Sequence, residues 1–162
     1  MLKDLLIKKK SSIINNWVRL IIETYPSKTS GFLKSQKDRF SNPVGYTISD
    51  SADKIFEEII NQNDIEKVKT SLTDLIKIRA VQNFSPSKAT GFIFSLKSVI
   101  RKELEQEVIE GKVLSELNEL ESFIDDTALT AFDVYMDAKE KLFKIRINEI
   151  KAQLAYSKGI TE

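Results

Sequence analysis

From Val113 to Ser157 the chain carries one apolar row with a period of seven, formed by Leu117, Ile124, Ala131, Ala138, Ile145 and Ala152. Ala128, Tyr135, Leu142 and Tyr156 accompany it three or four residues away. Such spacing belongs to a helix and to no strand. Unbroken, the segment spans on the order of 65 Å at 1.5 Å per residue, more than a compact domain of this size covers. A second row holds Phe132, Met136, Phe143, Ile147, Ile150 and Leu154. One row is expected to face the domain's own core and the other to meet a partner helix. A homodimer interface is therefore expected at Ile124, Ala131, Tyr135, Ala138, Leu142 and Ile145. The alternative is that both rows are internal, with a break near Asp125-Asp126.

Helical spacing recurs along the rest of the chain, and period-two alternation is nowhere sustained, so the class is all-α with about five main helices. The first runs from about Leu2 to Thr24. Its stripe of Leu6, Ile13, Trp17 and Leu20, with Ile7, Ile14, Val18 and Ile21 beside it, is wide enough to meet two neighbours. Tyr25-Pro26 ends it, because a residue before proline avoids the helical region. Residues 26 to 46 read as a short helical turn or two between loops, pinned to the core by Phe32 and Phe40. A second helix starts near Ser49 or Asp50 and reaches the polar break at Asn61-Gln62-Asn63-Asp64. Asp64 suits the N-cap of the third, which runs to about Gln82. Phe84-Ser85-Pro86-Ser87 is the sharpest start signal: Ser85 accepts from exposed amides and Pro86 has no amide to leave unpaired. The helix it opens ends near Gly111, and Gly91 within it suggests close approach of another helix.

With 162 residues and no internal repeat or linker, residues 1–162 read as one domain. No long uncharged apolar run is present, and the N-terminal basic residues lack the layout of a cleavable export signal, so a cytoplasmic protein is expected. The chain has no cysteine and no histidine. Disulfides, thiolate catalysis, ordinary zinc sites, a Ser-His-Asp triad and a histidine haem ligand are excluded together. The net charge of +1 exerts no global pull on nucleic acid or anionic lipid. Its distribution is uneven: residues 1 to 39 carry nine basic and three acidic side chains, residues 103 to 140 twelve acidic and two basic. That polarity suits protein contacts, or solvated helix faces. The carboxylate pairs Glu57-Glu58, Glu103/Glu107 and Asp125-Asp126 fit solvated faces better than acid–base or metal chemistry, and Lys8-Lys9-Lys10 a solvated turn.

Two stretches, Arg39-Phe40-Ser41-Asn42-Pro43-Val44-Gly45-Tyr46 and Arg79-Ala80-Val81-Gln82-Asn83-Phe84-Ser85-Pro86-Ser87-Lys88-Ala89, followed by Gly91-Phe92 and Leu96-Lys97, resemble the RsbRD N-terminal domain family. Trp17 and Tyr25-Pro26 fit the same pattern. The resemblance covers roughly residues 1 to 110. It implies a globin-like helical domain without haem, the N-terminal sensory part of RsbR-type stressosome co-antagonists. Such domains are commonly dimeric and are followed by a STAS domain that contacts a kinase and its partners. These 162 residues contain no counterpart of a STAS domain, which fits a stand-alone member or a piece of a longer protein.

Asn42, Arg79, Gln82 and Ser85 form the expected polar cluster. A small anionic ligand at a helix junction would meet a guanidinium and helix-start amides there. The structural alternative is that Arg79 and Gln82 satisfy carbonyls of the Asn42-Pro43 loop while Ser85 caps its helix. No cofactor or metal is expected. The reading is a non-catalytic sensor or signalling domain working through protein contacts as a homodimer with an unidentified protein partner, and binding neither nucleic acid nor membrane. The alternative is a scaffold or accessory subunit of a larger complex, redox systems included, with no ligand of its own.

Overall fold

The computed structural model of the chain describes residues 1–35, 38–62 and 64–161, with side chains up to residue 159. Among them every regular element is an α-helix: α1 (Leu2–Lys8), α2 (Lys10–Glu23), α3 (Ser27–Ser35), α4 (Pro43–Ile60), α5 (Ile65–Val81), α6 (Pro86–Thr90), α7 (Phe92–Glu103), α8 (Glu105–Ile109) and α9 (Leu114–Thr161). The fold is all-α. The five expected helices become nine among the described residues because the first is interrupted once, the fourth twice, and α3 fills one connection.

The first expected helix breaks for one residue at Lys9, where φ is −97°. There the ammonium turns to the Glu103 carbonyl and lies 3.7 Å from the Glu107 carboxylate. The apolar line survives the break: Leu2, Leu6, Ile13, Trp17 and Ile21 are all buried, and α2 packs against both α4 and α7 as its wide face requires. Trp17 Nε1 donates to the Phe92 carbonyl at 2.8 Å, satisfying the one polar atom of a fully buried ring.

Helix α4 begins at Pro43, six residues before the expected start. Asn42 Oδ1 accepts from the Gly45 amide at 2.9 Å, with proline in the first turn, which is the same arrangement that opens α6. Phe32 and Phe40 do not pin the preceding segment. Phe40 is 92% exposed, and Leu33 is the side chain of α3 that enters the core. Asp64 caps α5 as expected, accepting from the Glu66 amide at 3.1 Å.

At Gly91 a side chain would place its Cβ 2.6 Å from the Ser87 carbonyl, so the close approach there comes from its own segment, not from another helix. Gly111, at φ +69°, closes α8: its amide donates to the Val108 carbonyl and the Lys112 amide to the Glu107 carbonyl.

Helix α9 runs unbroken for 48 residues, about 72 Å at 1.5 Å per residue. No break occurs at Asp125-Asp126; Lys97 of α7 holds Asp125 at 2.6 Å, and Arg101 grips Glu121 through two bonds. Its inner face packs mainly on α5, and also on α7, α6 and α4. Burial along α9 stops at Ala138; residues 139–159 include no buried side chain.

Candidate functional site: the Arg79 junction and the outer face of α9

The end of α5 and the start of α6 meet at the tight turn Gln82-Asn83-Phe84, where Asn83 takes φ +60°. Arg79 points inward from the last turn of α5 and is completely buried. Its Nη2 donates to the Lys88 carbonyl at 2.7 Å and to Thr24 Oγ1 at 3.0 Å, tying the end of α2 to α6. Three rings enclose the guanidinium, with centroids at 4.2 Å (Phe84), 5.3 Å (Phe92) and 5.5 Å (Tyr25). Aromatic faces attract a desolvated cation and partly offset the cost of its burial. Nε and Nη1 have no hydrogen-bond partner among the described residues. Burial pulls the guanidinium below its ordinary pKa, and the Tyr25 hydroxyl opposes that shift. Burial likewise pushes the Tyr25 phenol up, against the Arg79 cation.

Of the four cluster residues, the structure gathers three. Gln82 Oε1 accepts from the Tyr25 hydroxyl at 2.9 Å, and Ser85 Oγ accepts from the Lys88 amide at 3.4 Å. Asn42 works in its own segment, donating to the Leu33 carbonyl at 3.1 Å while it caps α4. Arg79 therefore does not serve the Asn42-Pro43 loop: its partners are on α2 and α6. A separate open groove of about 530 Å³ lies between α2, α3 and α4, floored by Val18, Ile22 and Leu33 with Arg19 and Lys34 at its rim. It includes none of the four cluster residues.

The expected dimer interface requires correction. Ile124 and Ala131 are completely buried, and Tyr135 and Ala138 nearly so, inside the chain's own core. Tyr135 donates its hydroxyl to the Phe84 carbonyl at 2.5 Å. A partner chain cannot reach these four without opening the domain. Leu142 is half-buried, and of the six only Ile145 is exposed. The alanines explain the assignment: small side chains at Ala128, Ala131 and Ala138 let a neighbouring helix lie close, and α5 is that neighbour.

It is the second row that faces outward. Phe132, Met136, Phe143, Ile147, Ile150 and Leu154 are all exposed, with Phe143 at 56% and Leu154 at 57%, and Leu129 extends the row toward the N-terminus. At 100° per residue these positions fall within about 60° of one another, beside the buried stripe of Ala128, Ala131 and Ala138. Among the described residues no helix is long and apolar enough to cross a membrane.

No curated protein and no solved structure matches the chain significantly. The family model described as the RsbT co-antagonist protein rsbRD N-terminal domain matches residues 11–150, from α2 well into the arm of α9. The match takes in the capped start at Asn42, the Arg79 junction and most of both rows of α9, and the chain belongs to this regulatory family of rsbRD N-terminal domains.

Proposed function

We propose that the chain is a non-catalytic signalling domain that works as a homodimer through the outer face of α9, and that passes a change in the packing of its two α9 helices to a protein partner. The exposed apolar row from Leu129 to Leu154 supports this reading. A soluble monomer rarely leaves so continuous an apolar face uncovered, and a second helix of matching pattern covers it by ridge-into-groove packing. Signalling then amounts to a population shift between two arrangements, driven by whatever binds one of them better. We place this dimer in the cytoplasm and read its body as globin-like and haem-free, in keeping with a sequence that has no histidine for a proximal ligand.

A second reading adds a small ligand, and one observation favours it. Two nitrogens of a fully buried guanidinium, Nε and Nη1, carry three N–H donors that find no acceptor among the described residues. Such groups cost roughly 1–3 kcal/mol each when unsatisfied, so an anion or other acceptor admitted to the junction would bind against a prepaid donor pair. Without such a ligand the domain acts as a scaffold or accessory subunit. Native mass spectrometry of the purified protein separates the readings. A dimer with additional bound mass supports a ligand-gated domain, a clean dimer supports the scaffold, and a monomer across micromolar concentrations contradicts the proposal.

A further inference from the structure

From the charge register of α9 we infer that two copies of this chain pair antiparallel along their α9 helices, with the two-fold axis crossing near Leu142. The inference rests on the homodimer reading and adds its geometry.

On one flank of the outer row stand Asp126, Asp133 and Glu140, seven residues apart, and then Lys144, Lys151 and Lys158, again seven apart. At 100° per residue all six fall within about 40° of one another, so they form one edge that changes sign once. Glu140 with Lys144, Asp133 with Lys151 and Asp126 with Lys158 share a single midpoint, residue 142. The apolar row has nearly the same centre: Leu129 with Leu154, Phe132 with Ile150 and Met136 with Ile147 have midpoints between residues 141 and 142. Two independent features of the face are thus self-complementary about one point.

In an antiparallel helix pair each flank faces the same flank of the partner, so these acids meet these lysines. A parallel pair in register does the opposite and sets like segments side by side. Residues 141 to 161 carry five basic side chains and one acidic one, and residues 114 to 140 eight acidic and one basic. The parallel arrangement places each of these segments against itself, whereas the antiparallel one places the basic arm along the acidic half. Four of these charges are also available. Asp133, Glu140, Lys144 and Lys151 make no ion pair with any described residue of their own chain. Burial along α9 ends at Ala138, so in this geometry the arm beyond it gains the partner's outer row as its cover.

The absence of native cysteine makes the test direct. Leu129→Cys and Leu154→Cys are prepared separately, mixed, allowed to exchange subunits and oxidised. The expected product is the 129–154 cross-linked dimer, with neither variant cross-linking to itself. Antiparallel pairing holds two copies of residue 129 about 39 Å apart, far beyond the roughly 7 Å that a disulfide spans. As a second readout, Asp133→Lys should raise the dimer dissociation constant on the order of tenfold at low salt, and Lys151→Asp in the same chain should restore it. Self-cross-linking at 129 and at 154 overturns the antiparallel geometry and leaves the dimer reading standing. A dimer that forms none of the three disulfides overturns this register, and a protein that stays monomeric overturns both.

Discussion

The hydroxyl of Tyr135 on α9 donates to the carbonyl of Phe84, 2.5 Å away at the turn between α5 and α6. A residue that accompanies the period-seven row thus ties α9 to its own domain. Tyr135→Phe should cost about 1 kcal/mol, the usual net loss of one hydrogen bond, with the fold unchanged by circular dichroism. Ala131→Asp, which puts a carboxylate into the fully buried side of the same row, should lose at least roughly 3 kcal/mol and unfold a large fraction of the protein. A folded Ala131→Asp protein would mean that α9 does not pack on α5 as described.

Arg79 makes two hydrogen bonds through Nη2 and leaves Nε and Nη1 without partners among the described residues, inside an aromatic enclosure. Arg79→Met keeps most of the packing volume and removes the buried charge together with its unpaired donors. It should lie within about 1 kcal/mol of the native protein, whereas Arg79→Ala should lose roughly 3 kcal/mol through the space it opens. Denaturant midpoints of the two variants settle the comparison. Equal, large losses would show that the bonds to Thr24 and Lys88 dominate.

Asn42 and Gly45 should be coupled. Asn42→Ala removes the cap of α4 and the donor to the Leu33 carbonyl, at a cost of about 1–2 kcal/mol. Gly45→Ala places its Cβ 2.2 Å from Asn42 Nδ2 and should be destabilising in the native background. Once Asn42 is alanine the clash is gone, and the helix preference of alanine over glycine should make Gly45→Ala stabilising by up to about 1 kcal/mol. A double-mutant cycle reads this change of sign.

Burial raises the pKa of both Tyr25 and Tyr135, the former against the opposing influence of Arg79. The native state therefore holds these phenolic protons more tightly than the unfolded chain. That contribution is complete below the ordinary phenol value of about 10 and is lost as pH rises through the higher native values. The Tyr25→Phe, Tyr135→Phe double variant should lose less stability than the native chain between about pH 9 and 11, as measured by urea unfolding at each pH.

The sequence carried the helix class, the length of α9 and the existence of its two rows, because period and capping are local properties. Ser85-Pro86 and Asp64 marked their helices correctly for that reason. The same logic applied to Asn42-Pro43 would have placed the start of α4; the surrounding glycine and serine made it look like loop. Which row of α9 faces inward is not local. It depends on whether α5 comes close enough to exclude large side chains, and the alanines at 128, 131 and 138 were the available signal. Arg79, Gln82 and Ser85 lie near one another because they are close in sequence, at the end of α5 and the start of α6. Asn42 shares no element with them, and its bonds go to Leu33 and Gly45.

The central claim is that the outer row of α9 is the dimer interface. Sedimentation equilibrium of the native chain beside Phe143→Asp, Ile147→Asp tests it most directly, because both positions are exposed and touch no core residue's burial. The account predicts a native dimer at micromolar concentration and a variant that is monomeric, with unchanged helix content and thermal midpoint within a few degrees of the native monomer's own. A variant that remains dimeric, or a native protein that is monomeric at those concentrations, contradicts it.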